Sequence, residues 1–181
     1  MSSLVIFRGL PGAGKSTAAR EYAEKTGAIL IEPDALCVSD GEYCWTAKRW
    51  AAAVELCAAT MELLTMGEFD SDGARMRPDI IYADVLPRAE EVNAVIDHVP
   101  RDYAVTVLTL HGDGKSVHDV RPEDLKRMRA EFEEVSFDNG RIVRDDANAR
   151  TVDNVDNVDE VDMVDRARTA DGRRERKGGE R

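Results

Sequence analysis

Cysteine is scarce: Cys37, Cys44 and Cys57 form an odd set of three, with no C-x-x-C pair, in 181 residues. That argues against a disulfide framework and against a zinc site. Positive charge is also scarce, and lysine most of all. Six Lys and 19 Arg face 36 acids, which leaves a net charge of −11. A surface this acidic argues against a broad nucleic-acid groove. It fits either a chain tuned for a salty cytoplasm or an ordinary acidic protein. No apolar run reaches the 18 or so residues of a membrane span. Met1-Ser2-Ser3 runs straight into an apolar strand, without the charged region and cleavage site of a signal peptide. The expectation is a cytoplasmic chain without a membrane partner, of one-domain size and able to bury its own core.

What is present alternates. Leu4-Val5-Ile6-Phe7, Ala28-Ile29-Leu30-Ile31 and Ile80-Ile81-Tyr82-Ala83 are short, continuously apolar runs, and Ala104–Leu110 reads as a fourth strand. Such runs suit strands buried on both faces of a parallel sheet. Between them lie helical segments, to about Lys25, from Thr46 to Gly67, from Ala89 to Val99 and from Pro122 to Glu134. On the second of these Trp50, Val54, Cys57, Met61 and Leu64 recur at steps of 4, 3, 4 and 3, one apolar stripe expected to face the core. Residues 68–78 read as a polar loop, and Arg141-Ile142-Val143 as a last strand before a capping Thr151. Strand–helix alternation predicts an α/β fold with three α/β/α layers and a mostly parallel sheet.

The C-terminal stretch differs. Val152–Asp165 repeats every three residues with six acids and no base, a period that holds no single helix face. It reads as a weak final helix or a disordered acidic tail. Residues 1–168 are expected to form the domain and 169–181, rich in Arg and Gly, a disordered tail.

One motif names a chemistry. Gly9-Leu10-Pro11-Gly12-Ala13-Gly14-Lys15-Ser16 satisfies G-x-x-x-x-G-K-[ST] between a strand and a helix. Glycines let successive N–H groups turn around phosphate oxygens, and the helix N-terminus favours the same anion. Gly12, Ala13, Gly14, Lys15, Ser16 and Thr17 are thus the expected nucleotide-binding residues. Lys15 would reach the outer phosphates and Ser16 would hold Mg²⁺. Ligands of open parallel sheets sit at the strands' carboxyl ends, where Asp34 and Asp84 follow the second and third strands. One carboxylate could accept the proton of an attacking hydroxyl, and the other could organise Mg²⁺. Capping a turn is the structural alternative for each. Trp50 is expected in the core, whereas Tyr43 and Trp45, in the loop before the helix, could equally stack on a base. His98, His111 and His118 show neither metal spacing nor a paired nucleophile.

Arg8–Thr17, Asp34, Tyr43-x-Trp45-Thr46-x-x-Arg49, and Asp84 followed by Pro87-Arg88 resemble the phage-type polynucleotide kinase branch of the P-loop phosphotransferases. That group also holds zeta-toxin-like and chloramphenicol phosphotransferase-like kinases. The resemblance covers residues 4–134. It implies a kinase-type P-loop fold, ATP or another nucleoside triphosphate as donor, Mg²⁺, and a 5′-hydroxyl end of DNA or RNA as acceptor. It places the general base on Asp34. Lys115 becomes the lid cation before the Val120–Met128 segment, where the family usually has Arg. The family's arginine shortly after the catalytic aspartate is missing from Asp34-Ala35-Leu36-Cys37, so Arg49, Arg75, Arg77 and Arg88 are the candidates for the acceptor phosphate, with Arg49 and Arg88 taken as substrate-binding. The chain is expected to carry no appended phosphatase or ligase, and a homo-oligomer stays open. Another hydroxyl acceptor (a modified DNA base, a nucleoside or a small molecule) and a nucleotide-binding switch ATPase remain alternatives.

Overall fold

The computed structural model describes residues 2–73, 75–112, 120–138 and 141–144. These fall within the first of two units, Met1–Arg150, while the second, Thr151–Arg181, lies outside the described residues. The expectations for Lys115, His118, Thr151, the Val152–Asp165 repeat and the Arg/Gly-rich end fall outside them too.

The order of elements is β1 (Ser3–Gly9), α1 (Lys15–Thr26), β2 (Ile29–Ile31), a 3₁₀ turn (Pro33–Cys37), β3 (Val38–Ser39), β4 (Glu42–Tyr43) and α2 (Ala47–Met66). Then come β5 (Glu68–Phe69), β6 (Arg75–Met76), β7 (Ile80–Asp84), α3 (Ala89–Ile96), β8 (Ala104–Leu110), α4 (Pro122–Glu131), β9 (Val135–Asp138) and β10 (Arg141–Arg144). The main sheet has four strands in the order β2-β7-β1-β8, and all three pairings are parallel. Leu4 and Ile6 of β1, with Ile80 and Tyr82 of β7, pack on Cys57 and Met61 of α2 and Val92 and Val95 of α3. The intervening Val5, Phe7, Ile81 and Ala83 pack on Ala19 of α1, with Tyr22 beside them. A sheet strand turns alternate side chains to opposite faces, so both faces are covered and three layers result.

Local signals fix the helix ends. Thr46 caps α2 by accepting the Arg49 N–H at 3.1 Å. Gly27, at φ 74, closes α1 in the left-handed region. Asp40 and Gly41, at φ 54 and 82, form the two-residue turn of the β3–β4 hairpin, the pairing that a right-handed strand twist favours.

Three expectations change. Arg141–Arg144 is a strand, but it pairs antiparallel with Val135–Asp138 and stays out of the main sheet. Residues 68–78, expected as loop, include the antiparallel pair β5–β6. The α2 stripe splits: Cys57 and Met61 are buried, whereas Val54 is 36% exposed and Trp50 is half-buried. Trp50 and Val54 line a cleft instead of joining the core cluster of Cys57 and Met61.

Candidate active site

The phosphate-binding loop leaves β1 at Gly9, whose φ of 154 places a would-be Cβ 2.5 Å from the Leu110 carbonyl oxygen. Only glycine fits so close to β8. The loop then turns tightly, the Ala13 N–H donating to the Leu10 carbonyl at 3.0 Å. Gly12 and Gly14 lie at φ 87 and 86, and Gly14 starts α1 with no side-chain cap. The first-turn amides of α1 therefore remain for an anion. Gly112, just past β8, backs the same loop; a Cβ there would lie 2.9 Å from the Ala13 backbone. Lys15 folds over the loop, its Nζ donating to the Leu10 carbonyl at 3.1 Å. Burial lowers its pKa, while Asp84, Asp34 and Glu32 pull it back up.

Both predicted carboxylates line the cleft above this loop. Asp34 sits in the first turn of the 3₁₀ helix. The hairpin turn at Asp40-Gly41 swings Tyr43 back so that its hydroxyl donates to Asp34 Oδ1 at 2.6 Å. That oxygen is thereby oriented, and burial, then the bond to Asp34, drives the phenol's pKa upward. Asp84 ends β7 and is buried at 9% exposure. Its Oδ1 accepts the Val85 N–H at 2.6 Å. Burial pushes its carboxyl up to about 7, the Val85 N–H opposes this, Asp34 adds repulsion, and Lys15 opposes.

The cleft has a volume of ≈ 1260 Å³. P-loop residues and Asp84 form its base, and α2, α3 and α4 contribute side chains to its walls. Trp45, 57% exposed, stands at the start of the α2 wall. The expectation that Trp50 is a core residue is thus corrected: it is half-buried, lies outside the core cluster around Cys57 and Met61 and lines the cleft. Arg121, just before α4, and Arg127 on it line the cleft and share Asp124, at 2.7 and 3.1 Å.

The arginines expected to grip the acceptor are held by their own surroundings. Arg49 donates to the Cys44 carbonyl at 3.4 Å. Arg75 donates to the Met66 carbonyl at 2.7 Å. Arg77 pairs with Asp102, and Arg88 with Glu90 and Glu91 at 3.1 Å each. None of the four lines the cleft among the described residues.

Arg8, just before the phosphate-binding loop in sequence, is a supporting residue to which the sequence assigned no role. It follows Leu4 and Ile6 on the same face of β1 and is fully buried, at 0% exposure. Its Nε donates to the Leu86 carbonyl at 3.0 Å, and its Nη2 to the Pro87 and Glu133 carbonyls at 3.1 and 2.9 Å. Its guanidinium stacks 4.3 Å from the Phe132 ring centroid. The β7–α3 turn, with Leu86 at the unusual φ of 41, is thereby tied to the chain leaving α4. Burial lowers the Arg8 pKa, against the pull of Glu134, Glu133 and Glu91.

The donor set suits a magnesium ion. Mg²⁺ prefers oxygen, and in nucleotide sites it takes few protein ligands, completing its shell with phosphate and water. Ser16 and Asp84 both line the cleft base and provide a hydroxyl and a carboxylate of that kind. Among the described residues no group of three or more His, Cys, Asp or Glu could hold a metal alone, and no helix is long and apolar enough to cross a membrane.

No curated protein matches the chain. Several solved structures resemble it. A gluconokinase from Sinorhizobium meliloti 1021 is 16% identical over 74% of this chain and 75% of its own, with a TM-score of 0.48. A sugar kinase from Janibacter sp. HTCC2649 is 18% identical over 74% and 69%, with a TM-score of 0.40. A chain of the Pnkp1/Rnl/Hen1 RNA repair complex is 14% identical over 85% and 53%, with a TM-score of 0.47. The family model described as an AAA domain, AAA_33, matches residues 4–94, from β1 into α3. With its P-loop between β1 and α1 and its covered parallel sheet of kinase type, the chain belongs to this AAA domain family.

Proposed function

We propose that the protein is an ATP-dependent phosphotransferase that moves the γ-phosphoryl of a nucleoside triphosphate to a hydroxyl. The 5′-hydroxyl end of DNA or RNA is the acceptor to which the resemblance points. The observation that carries the reading is the meeting of Lys15, Ser16, Asp34 and Asp84 in one cleft. A P-loop alone binds phosphate; a carboxylate oriented by a tyrosine beside it provides somewhere for a hydroxyl proton to go.

In this reading the loop amides and Lys15 hold the phosphates, and Lys15 leaves the Leu10 carbonyl to do so. Mg²⁺, held by Ser16 and through Asp84, would neutralise phosphate charge. Asp34 takes the acceptor's proton as its oxygen bonds to the γ-phosphorus, and the bond from that phosphorus to the bridging oxygen breaks, releasing ADP. Tyr43 keeps the receiving carboxylate in place. Lys115 is proposed as a lid cation, and Arg121 and Arg127 line the cleft.

A second acceptor class, a modified DNA base, a nucleoside or another small hydroxyl compound, is favoured by one observation: the arginines meant for an acceptor phosphate are bound to carbonyls and carboxylates elsewhere. Labelled ATP offered with 5′-hydroxyl oligonucleotides, nucleosides and sugars tests both. Label on an oligonucleotide end supports the first reading, and label on a small acceptor supports the second. Hydrolysis without transfer would refute both and leave a switch ATPase.

A further inference from the structure

Helix α2 is apolar on the side that faces away from the core. Its buried residues Ala53, Cys57, Met61 and Thr65 recur every four positions and fix the inward face. Ala52, Leu56, Ala59, Leu63 and Met66 recur at steps of 4, 3, 4 and 3. At about 100° per residue this second stripe centres about 160° from the first. All five residues are exposed, Leu56 at 55%, Leu63 at 66% and Met66 at 62%. A surface helix ordinarily turns charge to this side. Yet Lys48, Arg49, Glu55 and Glu62 are the four charged residues among the 20 of α2, in a chain that is 34% charged, and none of them interrupts the stripe.

The apolar surface continues past the end of the helix. Arg75 of β6 donates to the Met66 carbonyl at 2.7 Å, which docks the β5–β6 hairpin on the C-terminal end of α2. Phe69, directly opposite Arg75, shares that face of the hairpin and is 72% exposed. With roughly 200 Å² to a large side chain, Leu56, Leu63, Met66 and Phe69 together open about 500 Å². Two such faces brought together would bury about 1,000 Å², before Ala52 and Ala59 add to it, and a specific interface begins at that size. The spacing says what fits. Apolar residues every 3.5 positions make the seam that one helix offers another. Their sizes alternate, since Leu56 and Leu63 are interleaved with Ala52 and Ala59.

We propose that this face of α2 is the interface of a two-fold symmetric dimer, its occupant the antiparallel α2 of a second copy of the chain. With the axis beside the Cys57–Ala58 step, Leu56 meets the partner's Ala59 and Leu63 the partner's Ala52. Large side chains then fill the space that small ones leave, and the two halves of the contact are identical, as a two-fold interface requires. A parallel pair would set leucine on leucine and leave gaps at the alanine layers. The axis lies about one residue from the middle of α2, so about 18 residues overlap, a seam of about 27 Å. Charge agrees with this partner. Two chains at −11 each repel, and a seam without charge lets them meet, as the core of an interface usually does.

Sedimentation velocity of the full chain tests it, from about 1 to 100 µM protein and from about 0.05 to 1 M KCl. We expect a species of twice the 20.0 kDa chain mass. Its dissociation constant should fall at least threefold as KCl rises, because screening removes the repulsion between two acidic chains. Leu63→Glu and Leu56→Glu should each raise that constant at least 100-fold. Both leucines are exposed, so the fold should stand, and circular dichroism checks it; Ala52→Glu serves if either variant is misfolded. Ala59→Lys alone should also be monomeric. Mixed with Leu56→Glu it should form a dimer again, because the antiparallel pairing sets the introduced glutamate against the introduced lysine. A chain that stays monomeric at the highest protein and salt concentrations overturns the proposal. So does a dimer that survives both leucine variants, a dissociation constant that rises with KCl, or a mixture that stays monomeric.

Discussion

Replacing Asp84 by asparagine should make the protein more stable, and increasingly so as the pH rises. The buried carboxyl is pushed from 3.8 up to about 7. That displacement corresponds to about 4 kcal/mol. Because the folded state holds the proton more tightly than the unfolded chain, native Asp84 binds more protons between about pH 4 and pH 7. Stability from this group is therefore complete below pH 4 and is lost as pH climbs toward 7. Asparagine resembles the protonated acid and can still accept the Val85 N–H, so it escapes that loss. Urea unfolding in EDTA, from pH 5 to 8.5, measures the effect on the metal-free protein. The gap between variant and wild type should widen by about 2–3 kcal/mol over that range and level off above pH 7. For a chain of this size, 1 kcal/mol corresponds to about 2–4 °C in Tm. A gap that is flat, or that narrows with rising pH, would show that Asp84 is charged and well solvated in the free protein, and the account of its burial would fail.

Other outcomes follow from the same geometry. Lys15→Ala should abolish transfer, and Asp34→Ala should lower kcat by about 10²–10⁴-fold with nucleotide affinity little changed; collapse of nucleotide binding in Asp34→Ala, seen by titration with a fluorescent ATP analogue, would make Asp34 a structural or metal residue. Tyr43→Phe removes the bond that orients Asp34 and should cost about tenfold or more in kcat, the usual value of a hydrogen bond to a charged group; kcat equal to wild type would refute the positioning role. Arg8→Lys keeps the charge but loses the fork that serves three carbonyls, and should destabilise by about 2–5 kcal/mol in urea melts; a loss below about 0.5 kcal/mol would show that the linkage is not structural. With 11 net negative charges, the melting temperature should rise with KCl beyond 0.15 M as the Debye length falls from about 8 Å toward about 3 Å at 1 M; a flat or falling curve would remove the case for a salt-adapted surface.

The layered fold was legible because its signals are local. The runs Leu4–Phe7 and Ile80–Ala83 read as strands covered on both sides and are buried as such, and Thr46 and Gly67 mark the ends of α2 by capping chemistry that needs no tertiary partner. Strand order was not legible, since it depends on crossovers. The three-residue strand-like run Arg141–Val143 gives no hint that its partner is Val135–Asp138 in a separate hairpin. The β3–β4 hairpin did leave a signal: Asp40-Gly41 is the dipeptide that a two-residue turn demands, flanked by Val38 and Tyr43. That turn returns the chain toward the 3₁₀ helix, where Tyr43 meets Asp34.

The site divides in the same way. Lys15, Ser16 and the loop glycines announce themselves by spacing, and Asp34 and Asp84 by position after apolar strands. The walls do not, because a helical stripe reports which residues share a face and not what that face meets. Trp50, Val54, Cys57 and Met61 share one stripe, yet Cys57 and Met61 join the core while Trp50 and Val54 meet the cleft. Arg8 was hidden for the opposite reason. A charged residue next to a phosphate-binding loop reads as a ligand group, but the period of two in β1 continues from Leu4 and Ile6 and carries Arg8 inward. There it can persist only by meeting the carbonyls of Leu86, Pro87 and Glu133. A backbone turn with Leu86 at φ 41 exposes its carbonyls to the interior and needs such a donor. The arginine and the turn therefore explain each other: the turn sets the direction of the chain after Asp84, and the arginine makes that turn affordable inside the protein.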